Sequence, residues 1–81
     1  MHLQAHKIRI LTVLSENLKE IEPALVPSSA IACRLNMTLP ELRQVLKSME
    51  GMGVIETDPD LQYNLITRKG LAWLEQQAHG L

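Results

Sequence analysis

Residues 28–70 read SSAIACRLNMTLPELRQVLKSMEGMGVIETDPDLQYNLITRKG, and the order of signals within this stretch decides the fold. Pro27 and Ser28 announce a helix whose apolar face is Ile31, Ala32 and Leu35. Asn36 follows, a residue type that tolerates the left-handed backbone of a tight turn. Thr38-Leu39-Pro40-Glu41 then opens a second helix. The threonine hydroxyl is spaced to accept from the backbone while Glu41 reaches back, a capping box in which each cap is typically worth about 1 kcal/mol. Along this second helix Leu42, Val45, Leu46 and Met49 form one apolar stripe, and Gly53 ends it.

Beyond Gly53 the periodicity changes from helical to alternating. Val54-Ile55-Glu56-Thr57 and Gln62-Tyr63-Asn64-Leu65-Ile66 have strand character, and Asp58-Pro59-Asp60 between them reads as a turn in which proline supplies the fixed φ. Alternation puts Tyr63 and Leu65 on one face. Thr67 caps a final helix. The series helix, turn, helix, hairpin, helix is a winged helix-turn-helix, mainly α with a small β-hairpin turning at Asp58-Pro59.

Upstream, Leu3, Ile10, Leu11, Leu14, Leu18 and Ile21 make a wide apolar stripe on a helix over 3–20, which Glu22-Pro23 ends. Ala24-Leu25-Val26, just before Pro27, reads as a short first strand pairing with the hairpin. In the last helix Leu71, Leu74 and Ala78 fall together and Trp73 falls on a different face. The broad first stripe and the separately placed Trp73 together give the expectation of a homodimer through the terminal helices.

The chain has 81 residues, enough for one domain that buries roughly 60 % of its unfolded surface. That domain comprises a helix-turn-helix over 28–52, a wing over 54–66, and terminal helices over 3–20 and 67–79. Hydrophobic residues are 46 % of the chain, yet Tyr63 and Trp73 are the only aromatics, so the core is aliphatic and suits helix packing. One cysteine, Cys33, excludes an intramolecular disulfide and reads as a partly buried, inert thiol. Without a basic-apolar leader or a run of about 20 apolar residues, the expected location is cytoplasmic, with no membrane span. His2 and His6 are spaced i, i+4 but have no third ligand nearby in sequence, and neither a glycine-rich phosphate loop nor a nucleophile–base set is present. The expectation is no metal, no cofactor and no enzymatic activity.

Three segments resemble the winged-helix regulators of the MarR and PadR groups. They are Ser28-Ser29-Ala30-Ile31-Ala32 with Arg34-Leu35-Asn36-Met37-Thr38, then Leu46 through Ile55, then Tyr63-Asn64-Leu65-Ile66-Thr67-Arg68-Lys69-Gly70. The chain departs from the pattern at Asn36, where glycine is more usual, and at the wing tip, where Asp58 and Asp60 replace basic residues. The resemblance implies a transcriptional regulator that reads double-stranded DNA with the helix over 38–52. Its first turn would enter the major groove, with Glu41, Arg43, Gln44, Lys47 and Ser48 off the apolar face. Arg43 suits guanine and Gln44 adenine, whereas Ser28, Ser29, Arg34, Thr38 and Lys47 suit phosphates. Arg68 and Lys69, in the first turn of the last helix, oppose that helix's own dipole and are further candidates for the DNA backbone.

Charge divides these readings. Eight basic and nine acidic residues give a net charge of −1, so distribution matters more than total. Between Arg34 and Lys47 three cations face one anion, whereas the wing carries Glu56, Asp58 and Asp60 and should be repelled by phosphate. The acidic wing favours the competing expectation, a winged-helix module that binds other proteins and not DNA.

Overall fold

The computed structural model describes residues 3–19 and 25–79, and its element order is that of a winged helix-turn-helix. Four helices, α1 (Leu3–Asn17), α2 (Ser28–Leu35), α3 (Leu39–Met52) and α4 (Arg68–His79), surround a small antiparallel sheet of β1 (Val26–Pro27), β2 (Ile55–Thr57) and β3 (Tyr63–Ile66). The sheet order is β1-β3-β2, so β3 is central and Pro27 lies on an edge strand, where its missing N–H costs no ladder bond. Val26 pairs with Asn64, and Ile55 pairs with Ile66. His2, Ile21, Glu22-Pro23 and Ala24 lie outside the described residues, as do the side chains of Leu3 and Ala78.

Local chemistry accounts for the helix ends. Asn36 adopts φ 55° and ψ 46°, and the N–H of Met37 returns to the Ala32 carbonyl at 2.9 Å. Gly53 repeats the device at φ 77°, with the Val54 N–H bonded to the Met49 carbonyl at 3.3 Å. Both are left-handed closures that satisfy carbonyls the helix leaves open. At the start of α3 the Glu41 N–H donates to Thr38 Oγ1 at 3.2 Å and the Thr38 N–H donates to Glu41 Oε1 at 3.1 Å, which completes the capping box. Thr67 caps α4 by accepting from the Gly70 N–H at 3.0 Å.

Ile10, Leu11 and Leu14 of α1 meet Ile31, Leu42, Leu46, Met49, Val54 and Ile55 in one core, all of them buried. The centre of the α1 stripe is thereby used inside the protomer, where α1 packs against α2, α3, α4 and β3, whereas the helix ends at Asn17 and not at residue 20, and Leu18 beyond it is 36 % exposed. The inner face of α4 differs from the expected one. Leu71 is 39 % exposed, whereas Gly70 is buried and Trp73 and Leu74 pack half-buried against the core. Gly70 sets this rotation. A Cβ there would lie 2.1 Å from the Val54 carbonyl oxygen, so the helix approaches the chain closely at that point and turns positions 73 and 74 inward with it. Trp73 therefore has its partner within the chain, and the case for an intermolecular one is correspondingly smaller.

Candidate nucleic-acid interface

α3 is divided along its length. Leu42, Val45, Leu46 and Met49 are buried, while Arg43, Gln44, Lys47 and Ser48 are exposed. The first turn of this helix, the N-terminus of α2 and the base of the wing enclose an open groove of about 230 Å³, lined by Pro27, Ser28, Ser29, Leu39, Arg43, Gln62 and Tyr63. Ser29 and Arg43 are the expected site residues that this groove brings together with exposed side chains.

Ser28 leaves the phosphate-binding set. It is 3 % exposed, and its hydroxyl donates to the Leu61 carbonyl at 2.5 Å and accepts from Asn64 Nδ2 at 2.9 Å. The Ser28 N–H also donates to the Gln62 carbonyl at 2.8 Å. A residue spent on three such bonds ties α2 to the wing and has no surface to offer a phosphate. Asn64, fully buried on β3, completes the link through a bond from Nδ2 to the Val26 carbonyl at 3.1 Å, and its Oδ1 has no partner among the described residues.

Arg34 is also placed elsewhere. Its guanidinium donates to Glu16 Oε1 at 2.7 Å on the α1 side of α2, apart from the groove that holds Arg43. Both partners are exposed, so the pair adds little stability, yet it halves the local excess of positive charge expected between Arg34 and Lys47. Thr38 and Glu41 remain exposed but are bonded to each other through the hydroxyl at 2.8 Å. That side-chain bond, followed by the Thr38 backbone N–H and by His6 of α1, holds the Glu41 carboxyl below the usual range. Its negative charge suits the N-terminus of α3 and disfavours a phosphate there.

Lys69 lies across the end of α3, its Cδ and Nζ 3.5 and 3.8 Å from where a Cβ on Gly53 would be, and it is exposed. Arg68, beside it, is exposed. In the wing, the Asp58 carboxylate turns inward and accepts from the N–H groups of Gln62 at 2.7 Å and Tyr63 at 2.8 Å. The Tyr63 N–H is the largest cause of the lowered Asp58 pKa, with the Gln62 N–H acting in the same direction. A β-turn closes above it through the Leu61 N–H and the Asp58 carbonyl at 2.9 Å, and Leu61 takes φ 56°.

Pro27, Leu39, Gln62 and Tyr63 are the groove residues that sequence reasoning missed. Two of them carry a signal in the sequence. Leu39 precedes Arg43 by one helical turn, and strand alternation sets Tyr63 on the face opposite Asn64.

No protein family, curated protein or solved structure matches this chain.

Proposed function

We propose that the protein is a DNA-binding transcriptional regulator resembling the MarR and PadR groups, with the exposed face of α3 entering the major groove of double-stranded DNA. One observation carries the reading. The side of α3 opposite the core is open along Arg43, Gln44, Lys47 and Ser48, and its first turn stands beside the start of α2, where a duplex can lie across both. Arg43 and Gln44 carry base recognition in this reading, while Ser29, Lys47 and Arg68 meet phosphates. Loss of Arg43 or Gln44 should cost about 1–3 kcal/mol on a duplex selected from a random library. Equal binding by parent and both alanine variants would refute base reading by α3.

Such a regulator acts in the cytoplasm, and pairing of two copies would suit a palindromic site. The exposed outer side of α4 at Leu71 supports pairing through the terminal helices. Sedimentation at high micromolar concentration should then show a species larger than the 9.1 kDa protomer, and a purely monomeric boundary would remove the dimer from the proposal. No helix among the described residues is long and apolar enough to cross a membrane.

A second reading, a protein-interaction module, draws on the wing acids Glu56, Asp58 and Asp60 and on the exposed side chains of Leu39 and Tyr63. It predicts no duplex binding even at low salt.

A further inference from the structure

Five large hydrophobic side chains are exposed among the described residues, and two of them, Leu39 at 38 % and Tyr63 at 46 %, line the groove that holds Arg43. Single exposed apolar residues are ordinary on a protein surface, but this pair flanks the one cation of a groove that contains no carboxylate. Neither side chain belongs to the buried core or packs against it. Leu39 opens α3 at the exposed rim, beyond the reach of the core that buries Leu42 and Leu46, and Tyr63 stands on the outer face of the central strand.

Resting on the DNA reading above, we propose that this groove recognises a thymine 5-methyl group next to a guanine. Leu39 supplies the apolar contact to the methyl, Tyr63 forms the opposite wall, and Arg43 bonds the guanine edge. The chemistry of the major groove makes the match specific. Thymine alone among the four bases carries an apolar group there, and guanine presents the paired N7 and O6 acceptors that a guanidinium fork fits. Spacing agrees with adjacent base pairs. Side chains at i and i+4 have Cβ atoms about 5–6 Å apart, and an arginine arm easily spans the difference from a base-pair rise of roughly 3.4 Å. Leu39 and Tyr63 are thus specificity-determining positions of the same site.

The test changes the DNA and not the protein. Duplexes selected from a random library should contain a thymine beside a guanine, and replacing that thymine by uracil deletes only the methyl group. Parent protein should lose about fourfold in affinity, the worth of one buried methyl. Leu39→Ala should discriminate thymine from uracil duplexes less than the parent does, and its thermal unfolding midpoint, compared with the parent's, confirms that it is folded. Duplex binding that depends on Arg43 but is unchanged at every thymine-to-uracil position would overturn this inference and leave the DNA reading intact. Absence of binding to any duplex at low salt would overturn both and point to a protein occupant for the groove.

Discussion

Gly70 lies where α4 meets the end of the second helix-to-strand turn, and no other residue fits there. An added Cβ meets the Val54 carbonyl oxygen at 2.1 Å and Ile66 Cγ1 at 2.9 Å, and neither backbone nor packed side chain can retreat cheaply. Gly70→Ala should therefore destabilise the fold by about 3 kcal/mol in chemical denaturation, at the upper end of ordinary overpacking. Gly51 supplies the control. Its Cβ would meet nothing within 4 Å, and it lies within α3, so Gly51→Ala should stabilise by about 0.5–1 kcal/mol. If both substitutions shift the midpoint equally, close approach at Gly70 does not set the rotation of α4.

Among the elements, the wing depends most on a single side chain. Asp58 anchors the turn through the N–H groups of Gln62 and Tyr63, and these bonds favour its charged form and lower its pKa. The contribution is complete above the ordinary carboxylate value of about 3.9 and is lost as pH falls through the lower folded value. Amide resonances of Gln62 and Tyr63 should titrate with a midpoint below about 3.9, and the transition should vanish in Asp58→Asn. A midpoint at or above the ordinary value would contradict this anchoring. The wing also shows which parts of the fold were legible in sequence. Asn36, the Thr38–Glu41 box, Gly53 and the proline turn act on backbone a few residues away, so their spacing alone reveals them. Other features depend on contacts between distant parts of the chain, which no local pattern encodes. Ser28 is buried because Asn64 and Leu61 reach it from more than thirty residues on, Arg34 is drawn aside by Glu16, and Leu71 faces outward because Gly70 docks on Val54. The candidate interface is accordingly legible only in part, with Arg43 and Ser29 expected and Pro27, Leu39, Gln62 and Tyr63 supplied by the fold.

For the whole molecule, the charge distribution limits how DNA can be held. The chain carries a net charge of −1, the α3 face offers Arg43 and Lys47 against Glu41 and Glu50, and the wing contributes only acids. Few counterions can be released by so small a basic surface, so affinity must come mainly from base contacts and the dependence on salt must be shallow. With two or three phosphate contacts the slope of log K against log salt should be about −2 to −3. The central claim is tested most directly by titrating the selected duplex with parent and Arg43→Ala between about 50 and 200 mM salt. The account predicts binding by the parent with that shallow slope, and a loss of about 1–3 kcal/mol for the variant on the selected duplex that exceeds its loss on random DNA. No binding by the parent at the lowest salt, or an Arg43→Ala variant that binds the selected duplex as well as the parent does, would contradict it.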